Sequence, residues 1–181
     1  MQNEIFLHTP RLTLGPLREG DKAALVALFR HEAVKATYMV PDPLDDATAQ
    51  RLFARMMALS HDDTRYVFGI FLDGALIGVL NDTEIDGGTI EMGYALHPDH
   101  WNCGYMSEAF AAVIDYLRTR GFTTVVAGAF AKNAASLRVM QKCGMVRLEQ
   151  TDEIEYRGEM HTCIYFGDTV YFNVRGRFVG N

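Results

Sequence analysis

Several groups of residues in this chain have the types and spacing to do chemistry. One is the run His97-Pro98-Asp99-His100-Trp101-Asn102-Cys103-Gly104-Tyr105-Met106-Ser107, which links an apolar stretch ending at Ala95-Leu96 to a long amphipathic one. A strand-to-helix junction of this kind points several backbone N–H groups at one spot, backed by the positive end of the helix dipole, and suits a pyrophosphate. Gly104 would let the backbone come close to phosphate oxygens. The same run also reads as a plain loop with one glycine, since neither GxGxxG nor GxxxxGK[ST] is present. Another group centres on Glu91, flanked by Ile90 and Met92. In a strand it points away from both, and partial loss of water would raise its pKa towards that of a useful base. The alternative is a solvated strand glutamate or one paired with an arginine. Asn133 and Ser136 form a further pair: an asparagine able to cap a helix, and a serine one turn inside it whose hydroxyl can bond a carbonyl of its own helix.

These residues need elements to position them. Arg11–Leu17 alternates and predicts a strand, and Glu19–Phe29 carries Leu25, Leu28 and Phe29 at helical spacing. Pro41 and Pro43 break the chain. Asp45 is placed to cap a helix with the stripe Ala49, Leu52, Phe53, Met56 and Leu59. Strands follow over Tyr66–Leu72 and Ala75–Leu80, joined by Asp73-Gly74, and over Thr89–Leu96 after Gly87-Gly88. Gly104–Arg120 reads as a long helix ending at Gly121, with Met106, Ala109, Phe110, Val113, Ile114 and Leu117 turned inward. Thr124–Ala129 is a strand, Asn133 begins a short helix that stops at Gly144, and strands Met145–Glu155 and Glu159–Phe166 turn at Arg157-Gly158. The order predicts an α/β (α+β) fold with a mixed sheet and helices on both faces, in a single domain over 1–181. The stretch 168–181, where Tyr171–Val179 alternates, reads as an extra strand at a subunit interface or a flexible tail.

Composition sets bounds. The chain has 181 residues, 49% of them hydrophobic, enough for a core without disulfides. Cys103, Cys143 and Cys163 lie far apart with no CxxC, so no disulfide framework and no metal site are expected. There are 17 Lys and Arg against 23 Asp and Glu, and no basic run, which argues against a nucleic-acid partner. The net charge of −6 would suit a cationic substrate and equally serves ordinary solubility. No run approaches the roughly 18 apolar residues of a membrane helix. Met1–Thr9 lacks the marks of a signal peptide. The expectation is a cytoplasmic protein without membrane contact, a monomer or a homodimer.

The run Glu91-Met92-Gly93-Tyr94-Ala95-Leu96-His97-Pro98, then Trp101, Gly104-Tyr105 and Ser107-Glu108-Ala109, resembles the acetyl-CoA-binding motif of the GNAT acetyltransferase superfamily. It is most similar to the branch of the ribosomal-protein alanine N-acetyltransferases, the RimJ/RimL type. Members read E-[IM]-G-Y-x-[LI]-x-P and W-G-x-G-Y-[AM]-[ST]-E-A. Here Asn102 stands where glycine is usual and Cys103 where a basic residue is common; neither change removes a backbone N–H. Asn133-Ala134-Ala135-Ser136-Leu137-Arg138-Val139 through Lys142-Cys143-Gly144-Met145 resembles a second family motif, N-x-x-S-x-[RK]-[VL]-x-x-[KR]-x-G-[FM]. The likeness extends to Thr9-Pro10-Arg11-Leu12 and to Tyr156-Arg157-Gly158-Glu159.

The resemblance implies a GNAT-like central mixed, mostly antiparallel sheet. It also implies acetyl-CoA as cosubstrate, an amine as acceptor, and no metal. Transfer of acetyl from a thioester to an amine needs a neutral amine, a stabilised oxyanion and, less urgently, a proton for a thiol of pKa about 8.5. Glu91 is the candidate base, and a backbone N–H near Leu96 is the implied oxyanion donor. Ser136 is the implied proton donor to the thiolate. Cofactor contacts are expected from Ala95, Leu96, His97, Trp101, Asn102, Cys103, Gly104, Tyr105, Met106, Ser107, Asn133 and Ser136. A CoA-binding sensor or structural domain without turnover is the alternative reading.

Overall fold

Proline has no N–H to offer a ladder. With Pro16 in place, the strand expected over Arg11–Leu17 ends at Gly15 in the computed structural model, which describes residues 5–168. At its other end Thr9 closes a turn, its N–H donating to Leu12 O at 2.9 Å and its hydroxyl accepting from Leu12 N at 2.9 Å. What forms is β1 (Leu7–His8) and β2 (Thr13–Gly15), antiparallel, with Leu7 opposite Leu14. β1 is too short to carry a period that sequence patterning would register.

The helix expected from Glu19 begins as a 3-10 turn, Glu19–Asp21, and becomes α1 over Lys22–Arg30. The Asp21 carboxylate accepts from Arg18 N at 2.8 Å, and Gly20 is a poor helix former. α1 buries Leu25, Leu28 and Phe29 as its spacing requires. α2 (Glu32–Lys35) is a single turn, too short for its spacing to register in the sequence. α3 (Asp46–Ser60) is capped as anticipated: Asp45 accepts from Thr48 N at 2.7 Å, and Ala49, Phe53 and Met56 are buried.

β3 (Val67–Leu72) and β4 (Ala75–Asp86) turn at Asp73 and Gly74, both with positive φ. β4 runs past Leu80 to Asp86 although all its residues there but Ile85 are polar. Asp82 makes this possible, because its buried carboxylate accepts from Tyr66 N at 2.8 Å and from Arg65 Nε at 2.6 Å. β5 (Thr89–Leu96), α4 (Tyr105–Thr119), β6 (Thr124–Phe130), α5 (Ala134–Lys142), β7 (Met145–Tyr156) and β8 (Glu159–Asp168) follow close to the expected bounds. All six residues named for the inner stripe of α4 are buried.

The described residues pack as two compact units, 5–82 with 93–112, and 83–92 with 113–168. In the first, β1, β2, β3 and β4 pair antiparallel in that order, and the core gathers Leu17, Leu25, Phe29, Phe53, Val67 and Val79. In the second, the order is β5-β6-β8-β7, with only β5–β6 parallel. The described strands therefore make a mixed α/β fold, as the sequence order implied, and a mostly antiparallel one, as the resemblance implied. Among the described residues, no helix is long and apolar enough to cross a membrane. The tail is outside the described residues from position 169 onward.

Candidate active site

β5 ends at Leu96, and His97 opens a 3-10 turn, Pro98–His100, its Nδ1 accepting from Asp99 N. The peptide between Leu96 and His97 is pinned on both sides. Its carbonyl accepts from Trp101 Nε1 at 2.7 Å, and its N–H donates to Ile77 O at 2.8 Å. The His97 amide is thus committed to β4. Trp101 is 39% exposed and acts as a tie between strand end and loop.

Asn102 has φ 60 and Gly104 φ 81. The two left-handed residues fold the loop so that α4 starts directly behind it. The position where relatives carry glycine needs φ above zero, and asparagine is among the few residues that tolerate it. Glu108 N donates to Gly104 O at 3.1 Å. The amides of Tyr105, Met106 and Ser107 before it lie in the first turn, at the positive end of the dipole. A Cβ at Gly104 would stand 3.4 Å from Arg11 Nη2. A helix of fifteen residues and two left-handed residues before it, the second a glycine without a Cβ, fit a diphosphate.

The loop has a brace that sequence reasoning named only as part of the resemblance. Glu108 Oε1 accepts from Thr9 Oγ1 at 2.6 Å and Arg11 N at 2.9 Å, and Oε2 accepts from Arg11 Nε and Nη2, each at 2.7 Å. Arg11 Nη1 donates to Cys103 O at 2.9 Å, and its guanidinium lies 4.5 Å from the centroid of the Tyr105 ring. Burial works to raise the Glu108 pKa, but the hydrogen bonds from Thr9 and Arg11 and the Arg11 charge together hold it below the usual glutamate value. Two distant parts of the family likeness, Thr9-Pro10-Arg11-Leu12 and Ser107-Glu108-Ala109, are thus one physical object. The signal available in the sequence was an arginine and a glutamate of opposite charge, one in each motif.

The remaining candidates lie in the second unit. Glu91 is half-buried, between Ile90 and Met92 that are fully so. The parallel ladder pairs Thr89 with Thr124, Ile90 with Val125 and Glu91 with Val126, and its described register ends there, while β5 and β6 each run on. Burial pushes the Glu91 pKa up; a hydrogen bond from Thr83 opposes this, and repulsion from Glu84 and Asp152 adds to the rise. Ladder partners share a face, so Glu91 shares one with Val126, Gly128, Tyr165, Cys163 and Asp152. The Tyr165 ring lies across Gly128, where a Cβ would come within 2.7 Å of it, and its hydroxyl donates to Asp152 Oδ2 at 2.8 Å. Burial raises the Tyr165 pKa, reinforced by that bond and by Cys163. Burial likewise raises the Cys163 thiol, which makes it a poor nucleophile. Neither Tyr165 nor Asp152 was singled out by sequence, because only the ladder register reveals that they share Glu91's face.

Asn133 caps α5, its Oδ1 accepting from Ser136 N at 3.2 Å, so these two are joined as the motif suggests. Ser136 is half-buried in the first turn. His161 is structural: it is buried and stacked on Phe130 at 4.4 Å. Met140 is buried, whereas Cys143, at the C-cap of α5, is half-buried.

The chain matches the family described as Acetyltransferase (GNAT) domain over residues 11–146. It belongs to the GNAT acetyltransferase family. As a member it is an acyltransferase, an acetyl-CoA-dependent N-acetyltransferase. A Bacillus subtilis (strain 168) protein named uncharacterized N-acetyltransferase YoaA is 27% identical over 144 residues, 77% of this chain and 81% of that protein. RimL, a ribosomal L7/L12 alpha-N-protein acetyltransferase solved with coenzyme A, has a TM-score of 0.78 at 20% identity, covering 90% of this chain and 97% of its own. The ribosomal-protein-S5-alanine acetyltransferase from Vibrio fischeri has a TM-score of 0.74 at 16% identity, covering 91% and 96%. The two solved structures share the fold.

Proposed function

We propose that this acetyltransferase moves the acetyl group of acetyl-CoA to a primary amine, on a protein N-terminus or a small molecule, by direct attack of the amine on the thioester. The observation that carries the cofactor part is the loop ahead of α4, with φ 60 at Asn102 and φ 81 at Gly104. In this reading the loop from Trp101 to Ser107 holds the diphosphate through backbone N–H groups. Ala95, Leu96 and His97 line the thioester end, with a backbone N–H near Leu96 receiving the oxyanion. Asn133 reaches the pantetheine arm.

Glu91 accepts the proton of the attacking amine. Its raised pKa supports this role, because a stronger base is closer in pKa to the group it must deprotonate. Ser136 gives a proton to the departing thiolate, and its place in the first turn of α5 is compatible with that task. The acetyl group ends on the amine nitrogen, the amine proton on Glu91 and the Ser136 proton on sulfur; water restores both side chains.

RimL is described as acting on the N-terminus of a ribosomal protein, and an amine of that kind is a natural first acceptor to test. The assay follows thiol release from acetyl-CoA over a panel of N-terminal peptides, polyamines and aminoglycosides. Acceptor-dependent release supports the reading. Coenzyme binding without release for any amine would instead support a sensor or structural role, and no binding of coenzyme A would overturn the loop assignment.

A further inference from the structure

Arg11 stands before β2 and reaches the loop–helix junction with every part of its head group. Nε and Nη2 grip one oxygen of Glu108, Nη1 holds the carbonyl of Cys103, and the planar face covers Tyr105. The backbone N–H of Arg11 and the hydroxyl of Thr9 anchor the other Glu108 oxygen. The grip on Cys103 O has a consequence one atom further on. A trans peptide is planar, so its N–H points opposite to its carbonyl. Fixing Cys103 O therefore fixes the direction of the Gly104 N–H, away from Arg11. Without that grip the peptide is the easiest in the loop to turn over, because glycine accepts both signs of φ.

We propose that Arg11 is a positioning residue for coenzyme A: anchored by Glu108, it locks the Cys103–Gly104 peptide so that the Gly104 N–H stays aimed at the diphosphate. This rests on reading the loop as the coenzyme cradle. It also accounts for Cys103 in a place where relatives often have a basic side chain, since the loop's order comes from a guanidinium supplied by a separate segment. Glu108 balances the Arg11 charge, so the residue acts through geometry more than through its field. A lysine has one ammonium, and cannot span the Glu108 carboxylate and the Cys103 carbonyl with a rigid fork.

The test titrates coenzyme A calorimetrically into wild type, Arg11→Lys, Arg11→Gln and Glu108→Gln, with circular dichroism and thermal unfolding of each. Positioning predicts that all three variants bind about tenfold more weakly, a loss of about 1.4 kcal/mol. Amide exchange at Gly104–Ser107 in the ligand-free protein should quicken in each while core amides keep their protection. If charge alone mattered, Arg11→Lys would bind like wild type and Glu108→Gln would bind more tightly, having lost a competing carboxylate. Either result overturns the proposal. Should Arg11→Gln fail to fold, the other two variants carry the same contrast. Failure of wild type to bind coenzyme A would instead refute the cradle itself, whereas tight binding by wild type and all variants alike would refute only the role of Arg11.

Discussion

At the head of α4 the chemistry belongs to the backbone; around Glu91 it belongs to side chains and to their loss of water. The loop offers amides and a dipole, and its side chains matter where they set φ or hold a peptide still. That is why Asn102 can replace a glycine and Cys103 a basic residue without dismantling it. The Glu91 face works differently. Its carboxylate is tuned by burial between Ile90 and Met92 and by repulsion from Glu84 and Asp152, so its properties lie in neighbours that a motif does not record. A backbone site should tolerate side-chain change and fail on backbone change; a side-chain site should do the reverse.

The largest expected effect tests the second half of that contrast. Glu91→Gln should lower the acetylation rate at neutral pH by about 10²–10⁴-fold, with the loss shrinking as pH approaches the amine's own pKa. In wild type the acid limb of the pH–rate profile should lie above the range of an ordinary glutamate, because the base form is needed and its pKa is raised. Stability moves in the opposite sense. A pKa raised by folding means that the protonated form favours the native state. That contribution is full below the unfolded value of about 4.3 and is lost as pH rises through the folded value. Glu91→Gln should therefore melt higher than wild type at pH 7, with the advantage vanishing towards pH 4. A profile parallel to wild type at every pH would remove Glu91 from proton transfer.

Gly104→Val tests the first half. A β-branched residue at φ 81 is strained by about 1–3 kcal/mol; a ligand-free loop that turns to relieve this strain must take it up again on binding, which weakens coenzyme affinity by about 5–150-fold. Calorimetry with coenzyme A reads the loss, and unchanged affinity would show that the diphosphate sits elsewhere.

Ser136→Ala should cost less, about tenfold or below, because a thiol of pKa about 8.5 leaves without much help. Its deficit should fade as pH rises past the thiol's own pKa of about 8.5, where the thiolate needs no proton to depart, whereas the Glu91→Gln deficit fades only as pH nears the amine's pKa. A deficit independent of pH would reduce Ser136 to a structural residue of α5.

The smallest effect separates backbone need from side-chain identity. Asn102→Ala places an ordinary L-residue at φ 60 and should destabilise the fold by about 1–2 kcal/mol, read as a fall of about 2–8 °C in melting temperature. A variant as stable as wild type would mean that the left-handed turn is not a constraint on that position.

The local parts of this protein were decided by its sequence, because the forces involved act over a few residues. The α4 stripe, the Asp45 and Asn133 caps, the Asp73-Gly74 turn and the loop ahead of α4 each follow from spacing or from one residue's geometry. So does the family, since its motifs are runs of neighbours. What the sequence left open depends on residues that are far apart along the chain. β4 continues past Leu80 because Arg65 and Tyr66 satisfy Asp82. The Glu91 carboxyl is raised partly by Asp152, which ladder register brings to the same face. Arg11 and Glu108 meet across 97 positions, and their charges give no hint of the Cys103 carbonyl held between them. Propensity and period are properties of a segment, whereas burial, register and an ion pair with a fixed plane exist only once the chain has closed on itself.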